Sequence, residues 1–328
     1  MSVSVAGGGS WGTALAHLLA SNGHATTLWL RDGATAKAIN TRHENPRYLP
    51  GISLHPALKA SVDPVAAACD ILVCAVPTQQ IRSFLRGHRQ FFKPGITLVN
   101  AAKGLEADSR ATCGVIAAGE LAGLNHRYAV LSGPSFAAEV LRGLPTAVVL
   151  AARDAKLGAR LREIFSNPSF RCYSSTDVAG VEMGGALKNV MAIAAGICDG
   201  LAFGHNSRAA LITRGIAEIS RLGVACGAKA RTFMGLSGLG DLILTCTGDL
   251  SRNRQVGLGL ARGETLETVT KTLGTVAEGV KTAGAMCALA ESLCLDAPIA
   301  FAVRGILQNG HCPQTVATSL MTRTLREE

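Results

Sequence analysis

The run Gly7-Gly8-Gly9-Ser10-Trp11-Gly12 limits most sharply what this chain can fold into. It follows a β-rich stretch, Ser2–Ala6, and opens an apolar helical pattern over Thr13–Ser21. A G-x-G-x-x-G run carries weight only in that strand–turn–helix setting. There the first glycine makes a tight turn, the second lets the backbone approach a pyrophosphate, and the third lets helix and strand pack closely. The helix N-terminus then faces the phosphates. The feature requires a βαβ unit, and it marks Gly7, Gly9 and Gly12 as a dinucleotide-binding turn.

The rest of the first half supports such a unit. Apolar runs at Ser2–Ala6, Thr26–Leu30, Ile71–Val76, Thr97–Asn100, Tyr128–Leu131 and Thr146–Ala151 are bounded by Gly, Pro and Asn, as expected of buried parallel strands. Their alternation with helical patterns predicts a doubly wound α/β domain. From about Asp177 the character changes to stretches rich in Ala, Leu and Gly. Val178–Gly200, Ser207–Cys226, Ser251–Arg262, Val276–Leu293 and Ala297–Gln308 read as helices. We expect an N-terminal Rossmann domain over residues 1–178 and an all-helical substrate-binding and catalytic domain over 179–328.

With 48% hydrophobic and 17% charged residues, the chain can bury a large core and is not disordered. No apolar run reaches the ~20 residues that span a bilayer, and no basic segment precedes the first apolar stretch. Ten cysteines include no CxxC pair and no zinc-like spacing, which predicts reduced thiols, no metal site and a cytoplasmic setting. A net charge of +9 suits an anionic partner, either nucleic acid or a phosphorylated small molecule. Few aromatic residues accompany the basic ones, so a single-strand stacking platform is not expected.

Twenty residues past Gly12, the second strand ends at Arg31-Asp32. An acid there holds the ribose hydroxyls of NAD, whereas an arginine accommodates the 2′-phosphate of NADP; both types are present. The pair also fits a solvated strand end. Later strand ends carry Lys103 and the Ser132-Gly133-Pro134-Ser135 turn, where open α/β sheets place ligands; a loop lysine and a helix cap are the plainer readings. In the helical half, Lys188 shares a helix face with Gly184, Ala192 and Ala195, all small, leaving room beside it for a ligand. A lysine buried on such a helix becomes a usable proton donor or acceptor; a snorkelling lysine at a domain edge is the alternative. Asp241 and Thr245, four apart, share a face if helical, and a carboxylate there can balance Lys188; an N-cap is the alternative for Asp241. Ser251-Arg252-Asn253-Arg254 has the chemistry to hold a phosphate, or simply starts a helix with Ser251 as its cap. Thr275-Val276-Ala277-Glu278 fits a capping box, and a ligand role for Glu278 is equally open.

These stretches together resemble a known family, the bacterial NAD(P)-dependent glycerol-3-phosphate dehydrogenases. The resemblance runs through GGGSWGTALA, NPRYLPG, LSGPSFAAEV, GVEMGGALKNVMAIAAGICDGL, NSRAALITRG, GLSGLGDLILTCT, SRNR and VAEGV, from residue 7 to about 282. It implies a Rossmann domain followed by a 6-phosphogluconate-dehydrogenase-like helical domain, with the active site between them. It implies reversible reduction of dihydroxyacetone phosphate to sn-glycerol 3-phosphate, feeding phospholipid synthesis, with Lys188 as proton donor and acceptor. By motif, Lys103, Gly133, Ser135, Asp241, Ser251, Arg252 and Asn253 would line the substrate site, with Arg252 on its phosphate. Ser10, Trp11, Arg31, Tyr48, Lys103, Ala137, Arg252, Val276 and Glu278 would contact NADP or NAD, with NADPH the favoured form. A homodimer is a further implication. Rival readings are a β-hydroxyacid or 6-phosphogluconate type dehydrogenase, or a non-catalytic dinucleotide sensor. Nucleic-acid binding is more remote.

Overall fold

Among the described residues there are ten strands, β1 (Ser2–Ala6), β2 (Ala25–Trp29), β3 (Glu44–Asn45), β4 (Leu49–Ser53), β5 (Lys59–Ser61), β6 (Ile71–Cys74), β7 (Ile96–Asn100), β8 (His126–Ser132), β9 (Thr146–Ala152) and β10 (Phe170–Ser175), all before residue 176. Eight of them form one sheet in the order β10-β9-β8-β7-β6-β1-β2-β5, and β3 and β4 make a separate small antiparallel hairpin. The structure is a computed structural model that describes residues 1–274 and 277–322. It divides into two compact units, one of Met1–Lys103 with Thr112–Glu182, the other of Gly104–Ala111 with the chain from Met183 onward.

In the first unit, β1 lies between β2 and β6, parallel to both, so chain order reverses there. Helices α1 (Ser10–Ser21), α2 (Gly33–Arg42), α3 (Thr78–His88), α4 (Cys113–Glu120), α5 (Ala137–Leu141) and α6 (Ala155–Phe165) connect the strands. One face of the sheet, including Val3, Val5, Val73, Val99 and Leu131, packs with Leu15 and Leu19 of α1 in a single core. On the other face Val130 and Ala151 cluster with Val181. Strands covered on both faces read as continuous apolar runs, which is why these were visible in the sequence. One expectation fails: Thr146–Ala152 runs antiparallel to β8, from Ala129↔Ala152 to Ser132↔Val149, and carries β10 parallel beside it. An apolar run records burial, not direction.

Among the described residues, every regular element of the second unit is a helix. Its elements are most of α7 (Val178–Gly200), α8 (Gly204–Ala225), α9 (Ala230–Phe233), α10 (Asp241–Thr247), α11 (Arg252–Ala261), α12 (Leu266–Leu273), α13 (Glu278–Ser292), α14 (Pro298–Asn309) and α15 (Pro313–Met321). By length and composition alone α7 is apolar enough to cross a membrane, but 94% of that window is buried by protein, as in a core helix. α7 and α11 meet backbone to backbone: a Cβ on Gly196 would lie 2.0 Å from the Arg254 carbonyl oxygen, and one on Gly257 2.1 Å from that of Ile193.

Candidate active site

In the first unit the site residues gather at the carboxyl ends of the strands. β1 runs out at Ala6, and Gly7 turns the chain at φ +114°, its N–H donating to the Trp29 carbonyl at 2.9 Å. A Cβ on Gly12 would sit 1.9 Å from the Gly7 oxygen, so only glycine lets α1 start this close to β1. Gly9, at the cap position of α1, has open space where its Cβ would be. No acidic residue occupies the first turn of that helix, and its cap position has no side-chain hydrogen bond. The Trp11 indole nitrogen is buried without a hydrogen-bond partner. A turn with space over its second glycine, a bare helix start and an orphaned donor fits a dinucleotide pyrophosphate.

The hairpin β3–β4 folds onto this turn. Asn45, fully buried, donates from Nδ2 to the Gly8 carbonyl (3.0 Å) and to Thr13 Oγ1 (2.8 Å), and its Oδ1 accepts the Tyr48 N–H at 3.3 Å. Ser10 Oγ reaches the Tyr48 carbonyl at 3.4 Å. Trp11, Tyr48 and Ala137 are half-buried against the same core. In the sequence Asn45 entered only as the first residue of NPRYLPG; the role of a buried asparagine is recognised once its partners are known. At the end of β2, the Asp32 carboxylate caps α2, accepting from Ala34 N at 3.1 Å and Thr35 Oγ1 at 2.5 Å. Those bonds hold its carboxyl below the usual carboxylate range. Arg31 is exposed beside it.

Lys103 Nζ and Ser135 Oγ both donate to the Gly133 carbonyl, each at 2.9 Å. Gly133 sits at φ +137°, where a Cβ would come 2.9 Å from Val148 Cα, so the turn presents main chain rather than side chain. Ser135 caps nothing: α5 starts at Ala137, with Phe136 in the cap position.

In the helical unit, Lys188 is 6% exposed. Its Nζ donates to Asp241 Oδ1 at 2.6 Å and to Thr245 Oγ1 at 2.5 Å. Asp241 is the first residue of α10, after a wide π-type turn over Leu236–Gly240; its side chain turns to the lysine and does not cap the helix. Thr245, one turn later, donates to the Asp241 carbonyl at 2.6 Å and is thereby set to accept from the lysine. A buried ammonium is thus paired and hydrogen-bonded, the condition under which charge survives burial. The room expected over Gly184 is absent. The Ser237 carbonyl oxygen lies 2.6 Å from where a Cβ would stand, so the small residue admits the chain bearing Asp241, not a ligand. Ala192 and Ala195 are buried in protein.

The SRNR motif divides its labour. Ser251 caps α11 by accepting the Arg254 N–H at 3.2 Å. Arg254, which the motif offered to a phosphate, is turned onto Asp199 (2.8 Å) and Asp249 (2.9 Å). Arg252 is exposed. Asn253 donates to Asn189 Oδ1 at 2.9 Å and accepts the Gly279 N–H at 3.0 Å, tying the starts of α11 and α13 to the lysine helix. Glu278 opens α13 and is half-buried. Thr275 and Val276, which begin the expected capping box, lie outside the described residues; Ala277 holds the cap position of α13. Glu182, given no task from sequence, is buried in the first unit, where its Oε1 accepts from Gly114 N (2.8 Å) and Tyr128 Oη (2.5 Å). Burial pushes its carboxyl up. Its signal was an acid within an otherwise apolar helix.

Two family models match the chain: the N-terminus of NAD-dependent glycerol-3-phosphate dehydrogenase over residues 2–158, and its C-terminus over residues 177–318. A glycerol-3-phosphate dehydrogenase (NAD(P)+) of Desulfovibrio desulfuricans is 67% identical over all of this chain and 99% of its own length. One from Nitratidesulfovibrio vulgaris is 59% identical, with both chains covered in full. A solved glycerol-3-phosphate dehydrogenase from Coxiella burnetii superposes with a TM-score of 0.94 at 36% identity, covering 98% of this chain and 99% of that one.

Proposed function

Because the chain belongs to the NAD-dependent glycerol-3-phosphate dehydrogenase family, we propose that it reversibly reduces dihydroxyacetone phosphate to sn-glycerol 3-phosphate with NADPH or NADH. The observation that carries this reading is the buried ammonium of Lys188, held at 2.6 Å by Asp241 in a chain that also carries a dinucleotide turn. A bound nicotinamide dinucleotide supplies the hydride. Lys188 gives a proton to the carbonyl oxygen as that oxygen gains charge, and takes it back from the hydroxyl in the reverse direction. Asp241 and Thr245 keep the ammonium aimed and charge-balanced. Arg252 grips the phosphate, and Lys103, Gly133, Ser135, Ser251 and Asn253 complete the substrate contacts. Gly7, Gly9, Ser10, Trp11, Gly12, Arg31, Tyr48, Lys103, Ala137, Arg252, Val276 and Glu278 hold the dinucleotide. We further read the protein as a cytoplasmic homodimer whose product supplies phospholipid synthesis; its ten cysteines are free thiols, as a reducing compartment allows.

The test is loss of absorbance at the reduced-nicotinamide band when purified protein meets dihydroxyacetone phosphate and NADPH or NADH. Rapid oxidation supports the reading. Dinucleotide binding without oxidation supports a sensor, and turnover of 3-hydroxyacids instead supports the rival dehydrogenase type. Arg252→Ala should raise the KM for dihydroxyacetone phosphate roughly ten- to hundredfold, the range for a lost charged hydrogen bond. An unchanged KM would leave Arg252 a surface residue.

A further inference from the structure

The hairpin that clamps the glycine turn carries a second arginine, and its position is fixed by a chain of buried contacts. A Cβ on Gly8 would lie 2.7 Å from Leu30 Cβ, so the turn rests against the residue preceding Arg31. The carbonyl of the same Gly8 accepts from Asn45 at 3.0 Å, and Asn45 is two residues before Arg47. Asn45 Oδ1 also closes the tip of the hairpin by accepting the Tyr48 N–H. Arg47 and Arg31 therefore stand at one corner of the unit, beyond the end of β2, with Arg47 near enough to Asp32 to act on its charge.

Three further observations bear on what that corner takes. Arg47 lies with its guanidinium carbon 5.2 Å from the centroid of the Tyr48 ring, a stacking contact that limits where the fork points. Neither Arg31 nor Arg47 makes a salt bridge or a side-chain hydrogen bond among the described residues. The carboxylate of Asp32, which in this fold position receives ribose hydroxyls, is committed to Thr35 and Ala34 as a helix cap, and Arg47 helps hold its charge.

We propose that Arg47 and Arg31 form a two-arginine seat for a phosphomonoester on the adenosine ribose, so that Arg47 is a residue selecting the 2′-phosphorylated dinucleotide. This rests on the cofactor reading above. Guanidinium forks suit the terminal oxygens of a phosphomonoester and bind them in pairs of hydrogen bonds, whereas a ribose diol offers no charge to either arginine.

Calorimetric titration of the whole chain with NADP+, NAD+ and adenosine 2′,5′-bisphosphate tests it. The unmodified protein should bind NADP+ about tenfold or more tighter than NAD+. Arg47→Ala should weaken NADP+ and the bisphosphate by about tenfold while NAD+ moves by less than about twofold. Arg31→Ala should do the same, and the double variant should lose less than the two single losses combined, because both arginines serve one group. Arg47→Lys should restore only part of the affinity. Equal weakening of NADP+ and NAD+ in Arg47→Ala would place the arginine in a general positive field and overturn the proposal, as would no change in either. A chain that binds none of the three ligands would instead overturn the cofactor reading itself.

Discussion

The glycine turn at β1 and the lysine cluster on α7 are built from opposite materials. At Gly7 and Gly12 main chain stands where a side chain would be, and over Gly9 there is open space. At Lys188, Asp241 and Thr245 the glycine opposite the cluster, Gly184, is filled by the neighbouring chain, and the working groups are side chains buried to 6% exposure or less. Backbone recognition suits a pyrophosphate common to every dinucleotide, and it depends on shape. A proton-transferring lysine depends on charge held out of water, and so on its partner. The two regions should accordingly fail in different ways.

The largest separation is expected from Lys188→Ala. Turnover should fall by about 10²–10⁴, the span of general acid–base catalysis, while dinucleotide affinity persists. The variant should also lose about 3–5 kcal/mol of stability, because the buried Asp241 loses the ammonium that balances its charge. Removing both partners should recover much of that stability and none of the activity. Denaturant unfolding beside steady-state rates checks both; a stable, active Lys188→Ala protein would break the comparison.

Next come two glycines from one motif. Gly12→Ala should cost more than about 3 kcal/mol, since its methyl would overlap the Gly7 oxygen at 1.9 Å. Gly9→Ala should leave stability within about 0.5 kcal/mol yet weaken NADH by about tenfold, because the space it fills is the ligand's. If both variants lose stability equally, the turn is packed against protein and is not a phosphate cradle.

A third test concerns charge in the helical unit. Glu218 is 2% exposed and accepts from Ile299 N (2.9 Å) and Ala300 N (3.3 Å) at the start of α14. Burial pushes its carboxyl up to about 7, with Arg221 opposing that shift and Asp296 adding to it. Folded protein thus keeps a proton that unfolded protein releases near the ordinary value of 4.5. Its contribution to stability is full below that value and should decline by about 3 kcal/mol as pH rises through 7. Glu218→Gln should flatten this slope in unfolding curves taken from pH 5 to 8. The smallest effect is Ser251→Ala, about 1 kcal/mol for a lost helix cap; a KM for dihydroxyacetone phosphate that rises with it would show that the hydroxyl touches substrate as well.

Legibility in the sequence followed the same division. The glycine turn could be read because its spacing is its mechanism, and the central strands because burial on both faces leaves an uninterrupted apolar run. β10, with sequence FRCYSS and an exposed outer edge, alternates weakly and gave no such run. The sense of β9 was hidden because side chains do not encode direction. In the helical unit the four-residue spacing of Asp241 and Thr245 gave their shared face. Gly184, however, was misread as space for a ligand, because a small residue looks the same whether a ligand or a carbonyl fills the gap. Arg254 and Arg252 are indistinguishable by type; what sets Arg254 apart is its pairing with Asp199, 55 positions earlier, and with Asp249.

The backbone-to-backbone seam between α7 and α11 also bears on how such a protein can vary. Gly196 and Gly257 each admit a single residue type, since any side chain would overlap a carbonyl at 2.0–2.1 Å. The helix carrying Lys188 is consequently closed to gradual adjustment from within, because every small step at these positions is a large one. Drift in substrate preference would have to accumulate in the loops around that frame, leaving the position of the lysine as a fixed point in the family's sequence space.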